Sequence, residues 1–232
     1  MLFLNILKGA WDIFANNWVI ILTEYMSKTL LLAAIAVIIG TVIGALLALA
    51  NMGKIKPLKW IVVAFIEFVR GTPALLQVYV FYFCLPMFFP QMNRMDPIIS
   101  AFICAAVALT FNSAAYVSEI IRSGIEAVDK GQTEAARSLG LSSAATMTKI
   151  VMPQAVKNIL PALGNEFITV VKETSLAATF FAGELMTFYK EYVGFTHDAL
   201  PAFIVVGLVY FVTNFILSKL MGRLERRMKA HA

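Results

Sequence analysis

Apolar runs free of charge alternate with short polar segments along most of the chain. Residues 29–53, 71–93, 97–118 and 199–218 contain no Asp, Glu, Lys or Arg, and each is long enough for a helix to cross about 30 Å of hydrocarbon, which takes roughly 20 residues. A fifth run, 159–186, has the length but carries Glu166, Lys172, Glu173 and Glu184. The pattern predicts five membrane-spanning helices. Ala48-Leu49-Ala50 resembles a signal-cleavage site, but the apolar run before it is too long and acidic Asp12 and Glu24 precede it, so the segment reads as an uncleaved span. Residues 2–18, with Trp11, Phe14 and Trp18 among Lys8 and Asp12, predict an interfacial helix. The expected organisation is an N-terminal interfacial segment (1–28), a transmembrane domain (29–221) interrupted by a polar loop (119–158), and a basic tail (222–232).

Composition agrees with that pattern. Of 232 residues 60% are hydrophobic and 14% charged, against a globular norm of about 25% charged, and the mean hydropathy is +0.80. An all-α integral membrane protein follows. A disordered chain, a disulfide-stapled secreted domain and most nucleic-acid binders are excluded. Cys84 and Cys104 each sit in an apolar run, and His197 and His231 are far apart in sequence, so no metal-ligand spacing emerges.

The net charge of +5 acquires meaning once the basic residues are sorted. Fourteen of nineteen fall in 54–70, 119–158 and 219–232; Lys8, Lys28, Arg94 and Lys190 fall on the opposite side, and Lys172 lies within a span. The positive-inside rule places the 119–158 loop and the C-terminus in the cytoplasm and the N-terminus outside.

The loop is the most informative polar segment. Residues 134–139 favour helix, Gly140 suits a C-cap, and Ser142 or Ser143 can cap a second short helix that stops before Pro153. The alternative is a solvated connector. Its spacing, however, is distinctive: Glu134-Ala135-Ala136, then Gly140, then Ile150 and Met152-Pro153. This series resembles the EAA signature of inner-membrane permease subunits of binding-protein-dependent ABC importers, with Met152 where the family usually has leucine. Arg70-Gly71-Thr72-Pro73-Ala74-Leu75-Leu76-Gln77, Asn112-Ser113-Ala114-Ala115-Tyr116, Gly131-Gln132, Met152-Pro153-Gln154-Ala155, Asn165-Glu166-Phe167 and Lys172-Glu173-Thr174-Ser175-Leu176 extend the resemblance to the branch serving polar amino acids.

The resemblance implies a multi-pass protein of the bacterial cytoplasmic membrane that carries a polar amino acid inward. Glu134, Ala135, Ala136, Leu139 and Gly140 would form a coupling helix seated in a groove of a separate ATPase. It also implies a second permease subunit, identical or homologous, and an extracytoplasmic amino-acid-binding protein. The chain itself has no nucleotide cradle. Its one Gly-Lys pair, Gly53-Lys54, is followed by Ile55 and has Ala48 where a P-loop requires glycine. ATP and Mg therefore belong to the partner, and the chain reads as a transport subunit, not an enzyme and without a cofactor of its own.

Charges inside the membrane mark the candidate site. Glu166, Lys172 and Glu173 facing lipid would together cost about 8–10 kcal/mol on insertion scales. Glu166 and Glu173, seven apart, share a helical stripe, and Asn165, Thr169 and Lys172 form the adjacent one. Asn112, Tyr116 and Glu119 make a second polar face on the third span. An amino acid presents an ammonium, which Glu166 and Glu173 can receive, and a carboxylate, which Asn112, Ser175 and exposed backbone groups can meet. The substrate-binding candidates are Asn112, Glu166, Thr169, Lys172, Glu173 and Ser175. The competing reading is an internal ion-pair and hydrogen-bond network that locks the helices. An ion- or proton-coupled carrier using Glu166, Glu173 and Lys172 as a relay is the alternative function, although no inverted repeat is visible. An intramembrane enzyme lacks a nucleophile–base pair. Two structural expectations complete the picture: an interfacial helix over 57–70 with Arg70 able to pair with Glu67, and a Gly40/Gly44 pair packing within the subunit.

Overall fold

The computed structural model describes residues 1–230, so His231 and Ala232 at the end of the basic tail lie outside the described residues. Among the described residues every regular element is helical: α1 (Leu2–Ile20), α2 (Met26–Met52), α3 (Lys56–Gly71), α4 (Ala74–Phe88), α5 (Pro97–Glu126), α6 (Lys130–Ser138), α7 (Ser143–Thr146), α8 (Met152–Glu173), α9 (Leu185–Thr196) and α10 (Ala199–Ala230). The protein is an all-α membrane protein. Among the described residues, Phe3–Met52, Pro97–Glu126 and Ala199–Met228 are long and apolar enough to cross a bilayer, and α3 with α4, bent by 107° at Thr72–Pro73, offers a fourth crossing.

No break marks the boundary expected after residue 28. α1 continues into α2 through a single π turn, Ile21–Tyr25. At 1.5 Å per residue the combined helix is about 75 Å long, more than twice the hydrocarbon core. α1 lies along the start of α10, where Ala10 and Ile13 pack with Ala202, Val205, Val206 and Val209.

α3 occupies nearly the stretch expected for an interfacial helix. Its Val62, Ile66 and Val69 are buried while Trp60, Ile61 and Phe68 remain exposed. Gly71 ends it and Pro73 begins the turn into α4, since proline offers no N–H to continue the helix. α4 is 15 residues long, about 22 Å, short of the full core.

Small residues bring α2 and α5 together, with Leu32, Ala33 and Ala36 against Ala101, Ala105 and Leu109, and Val170 and Val171 of α8 closing the core. Gly40 and Gly44 face α5 within the subunit. A Cβ on Gly44 would lie 2.8 Å from the Ala114 carbonyl oxygen and 2.9 Å from Val117 Cβ, and one on Gly40 would lie 3.1 Å from Ser113 Cβ.

The 119–158 loop is the helix-turn-helix that the sequence predicts, with one difference. The second helix, capped by Ser142 Oγ accepting from the Ala145 N–H (3.2 Å), does not stop before Pro153. A π turn over Met147–Val151 carries it into α8. The widened turn, in which the Met152 N–H reaches back to the Met147 carbonyl, makes room for a proline ring that a tight α-turn would exclude.

The polar fifth run is likewise divided. α8 ends at Glu173, a 3-10 stretch spans Thr174–Phe180, Phe181 and Gly183 take positive φ (55° and 77°), and α9 starts at Leu185. Glu184, fully buried, caps α9: it accepts from the Met186 N–H (2.7 Å), the Thr187 N–H (2.9 Å), Thr187 Oγ1 (3.1 Å) and Tyr210 OH (2.9 Å). Thr29 Oγ1 accepts from the Leu185 N–H at 2.9 Å, tying the break to α2.

Candidate substrate and coupling sites

α8 presents its polar residues on two stripes, as the heptad spacing requires. Glu166 and Glu173 are half-buried within the subunit, whereas Asn165, Thr169 and Lys172 are exposed on its surface. The partner that α5 offers Glu166 is Ser113, whose Oγ donates to Glu166 Oε1 at 3.0 Å. Ser113 is not among the residues singled out by sequence. The only signal for it was its place beside Asn112.

Asn112 turns elsewhere. Buried on α5, it donates from Nδ2 to Gln77 Oε1 of α4 at 3.0 Å. Ser175 donates to the Lys172 carbonyl at 2.7 Å. Both groups expected to meet a substrate carboxylate thus already use a donor on the protein. Lys172 and Ser175 do share a cleft of about 370 Å³, lined also by Met186, Phe203, Val206, Gly207 and Tyr210. The candidates Glu166, Thr169, Lys172, Glu173 and Ser175 therefore sit along one helix and its end, and Asn112 belongs to a separate contact with α4.

Towards the start of the loop, α5 carries a charged cluster. Arg122 binds Glu119 through two hydrogen bonds (3.1 and 2.8 Å) and Glu126 through one (2.6 Å). Arg70 lies 3.6 Å from Glu119 and over the Tyr116 ring, so its partner is Glu119 across the α3–α5 contact, not Glu67 on its own helix. The cross-helix pair is possible because the α3–α4 corner swings the end of α3 onto α5. Glu119, Arg122 and Glu126, with Asn51, Lys59 and Glu67, line a cleft of about 470 Å³.

The coupling candidates are held on a well-terminated helix. Asp129 caps α6 by accepting from the Gly131 N–H (2.6 Å). At its other end the Gly140 N–H bonds the Arg137 carbonyl (3.0 Å), and the Leu141 N–H bonds the Ala136 carbonyl (3.1 Å). This paired arrangement needs a left-handed residue, and Gly140 has φ +82°. Ala136 is buried against the loop, whereas Glu134, Ala135 and Leu139 face outward, Leu139 at 82% exposure. A second cleft, lined by Asp129, Gln132, Gln154, Lys157, Asn158 and Met228, places the tail of α10 beside this loop. Three basic segments are thus gathered at one end: the end of α3 by Arg70–Glu119, the loop, and the tail. Around the opposite break, Lys190 lies over Phe181, and a Cβ on Gly183 would lie 3.2 Å from Lys28 Nζ.

Comparison with known proteins agrees with this geometry. Residues 36–230 match the model of the binding-protein-dependent transport system inner membrane component family. The arginine transport system permease protein of Bacillus subtilis (strain 168) is 39% identical over 208 residues, covering 90% of this chain and 92% of the relative. The glutamine transport system permease protein of Escherichia coli (strain K12) is 36% identical, covering 90% and 93%. The L-cystine transport system permease protein of B. subtilis (strain 168) is 33% identical, covering 94% and 91%. A crystal structure of an amino acid ABC transporter superposes with a TM-score of 0.84 at 40% identity over 92% of this chain and 96% of that one. A methionine ABC transporter in an inward-facing conformation shares the fold, with a TM-score of 0.74 at 19% identity over 90% and 96%. With the family model spanning all but the first 35 residues and the C-terminal two, and its relatives aligned over nearly their full length, this chain belongs to the family of binding-protein-dependent transport system inner membrane components, as a permease of the amino acid ABC transporter type.

Proposed function

We propose that this chain is the transmembrane subunit of an ATP-driven importer that moves a polar amino acid inward across the cytoplasmic membrane, coupled through the 129–153 loop to a separate ATPase. The observation that carries this reading is α6. It is a short helix capped at both ends, projecting from the membrane domain with Glu134, Ala135 and Leu139 outward. Leu139 at 82% exposure is an apolar side chain without a place in this subunit, and a partner surface gives it one. Relatives named for arginine, glutamine and cystine support a polar amino acid as the substrate.

Asn165, Thr169 and Lys172, exposed at membrane depth, cannot face lipid cheaply, since a lysine there costs about 2.5–3.5 kcal/mol. They face a second permease subunit, identical or homologous, and the polar path between the two. Glu166 and Glu173 receive the substrate ammonium and Lys172 its carboxylate. An extracytoplasmic binding protein delivers the amino acid. ATP and Mg sit in the ATPase, whose closure moves α6 and, through the continuous turn at Met147–Val151, swings α8 between outward-open and inward-open positions. The gathering of the basic segments at one end supports a cytoplasmic C-terminus and an extracytoplasmic N-terminus.

The test is uptake in proteoliposomes containing the permease, its ATPase and its binding protein. An ATPase subunit with an inactivating substitution abolishes uptake by an importer. Uptake that persists with the inactive ATPase and collapses with an ionophore would instead establish an ion- or proton-coupled carrier.

A further inference from the structure

We infer that the outward face of α10 is a docking site for an anionic phospholipid, with Lys219, Arg223 and Arg226 receiving the headgroup phosphate and the groove between α10 and α1 receiving an acyl chain. The cytoplasmic leaflet supplies this lipid under the orientation proposed above for the C-terminus. The site itself depends only on α10 crossing the bilayer, which its length and composition allow.

One stripe carries both parts of the site. Leu208, Val212, Phe215, Lys219, Arg223 and Arg226 recur at intervals of three or four residues along α10, which sets them above one another on one side of the helix. All six are exposed. Met221, which covers Gly164 of α8, stands two residues from Lys219, and Glu225 stands two residues from Arg223, so both fall on the opposite side. The stripe therefore looks away from α8, and with it from the polar path and the second subunit assigned to that helix. What its apolar members meet at membrane depth is lipid.

The stripe changes character where the bilayer ends. Its first three members are apolar and its last three cationic, with the Lys219 ammonium 5.3 Å from the Phe215 ring centroid at the junction. Among the described residues no salt bridge engages Lys219, Arg223 or Arg226. Each turn thus presents a cation to the headgroup region, and two of the three are guanidinium groups, whose paired N–H donors match phosphate oxygens. Further into the membrane, Leu208, Val209 and Val212 line an apolar groove of about 460 Å³ together with Leu7, Trp11 and Phe14 of α1. Half of a roughly 30 Å core is about 15 Å, or ten residues of helix, so an acyl chain that starts at the level of Lys219 reaches Val209 and the groove. Filling both parts takes a charged head joined to an apolar tail, which selects a lipid over a soluble anion.

The experiment uses the assembled importer, delipidated in mild detergent, with dioleoyl phosphatidylglycerol and dioleoyl phosphatidylcholine as probes and native mass spectrometry reading the bound fraction of each. A basic residue near an anionic headgroup is worth about fivefold, so three should make phosphatidylglycerol bind about a hundredfold more tightly than phosphatidylcholine. Arg223→Gln is expected to weaken phosphatidylglycerol about fivefold, and joint replacement of Lys219, Arg223 and Arg226 by glutamine should bring it to the level of phosphatidylcholine. Phosphatidylcholine itself should stay within about twofold. If the triple variant does not assemble, the single one carries the comparison. Removing the same charge from α3, by replacing Lys54, Lys56 and Lys59 with glutamine, should leave both lipids within about twofold, because those lysines lie on another helix. Leu208→Trp fills the groove and should weaken both lipids severalfold. Equal affinity for the two lipids, an equal loss from the α3 and α10 variants, unchanged binding in Leu208→Trp, or release of the ATPase from the α10 variant with lipid selectivity intact would overturn the inference. A reporter fused to the C-terminus and found outside the cell would refute the proposed orientation instead and leave the site standing.

Discussion

Glu184 gives the most demanding test of the structure, because its expected effect follows from counted hydrogen bonds. Its carboxylate is fully buried and receives four, from the Met186 and Thr187 N–H groups, Thr187 Oγ1 and Tyr210 OH. The Thr187 N–H also reaches the Glu184 carbonyl at 2.8 Å, so it keeps a partner when the side chain is replaced. In Glu184→Leu, of similar volume, the Met186 N–H and the Thr187 hydroxyl lose theirs, while Tyr210 keeps its hydrogen bonds to Thr174 and Thr29. Each buried polar group left without a partner costs roughly 1–3 kcal/mol, giving about 2–6 kcal/mol in all. Glu184→Gln retains one oxygen for Thr187 and an amide that Tyr210 can accept from, but opposes the Met186 N–H with a second donor, at about 1–2 kcal/mol. For a chain of this size about 2–4 °C accompanies each kcal/mol. The expected melting temperatures of the purified importer in mild detergent therefore fall by roughly 2–8 °C for glutamine and ~4–24 °C for leucine. A leucine variant as stable as the unmodified protein, or more stable than the glutamine variant, would refute the proposed cap.

The other expectations rest on separate contacts. Gly44→Ala forces a methyl to 2.8 Å from the Ala114 carbonyl oxygen; separating α2 from α5 should cost about 1–3 kcal/mol, read as a lower melting temperature. Gly140→Val places a β-branched residue at φ +82°, a cost of about 1–2 kcal/mol, and with Glu134→Lys should weaken co-purification of the ATPase or uncouple hydrolysis from uptake while the membrane domain still melts normally. Glu166→Gln preserves an acceptor for Ser113 and should leave stability nearly unchanged, but lower uptake kcat/KM at least tenfold, the value of about 1.5–3 kcal/mol for a hydrogen bond to a charged group; unchanged kinetics in both Glu166→Gln and Glu173→Gln would place the site elsewhere. Glu119→Gln should destabilise more than Arg70→Gln in the same melting assay, since Glu119 holds Arg122 through two hydrogen bonds as well as facing Arg70, whose half-exposed pair is worth less than about 1 kcal/mol.

Much of this architecture was legible wherever local chemistry alone decides it. The amphipathic stretch ending at Arg70-Gly71-Thr72-Pro73 announces both a helix and its termination, because glycine and proline act on their own backbone. Gly140 announces the left-handed end of α6 for the same reason. What stayed hidden depends on groups brought together across the chain. Ser113 and Glu166 are 53 residues apart, and Gln77 and Asn112 are 35 apart. Arg70 had a plausible partner three residues away, and only the 107° corner shows why Glu119 takes it. Glu184 was hidden differently. Glutamate is an uncommon N-cap, so its position in an apolar run reads as an intramembrane charge when it is the start of a helix.

Glu184 and Glu166 together suggest how intramembrane charge divides between architecture and transport. Either residue would be conspicuous in a hydropathy plot, and Glu184 is fully buried where Glu166 is half-buried, but burial alone does not say what each can bind. Hydrogen-bond capacity does. A carboxylate has about four lone-pair positions, and Glu184 fills all four with protein donors, leaving nothing for a ligand. Glu166 accepts one hydrogen bond, from Ser113, and among the described residues no hydrogen bond reaches Glu173. A group that must take up and release an amino acid in every cycle needs this unfilled capacity, because a donor already in place would have to be displaced each time. Glu184 therefore belongs to the frame that holds the broken helix, whereas Glu166 and Glu173 keep the open capacity that their proposed role along the path requires, a division that follows from counting partners on each oxygen and not from where charge falls in the sequence.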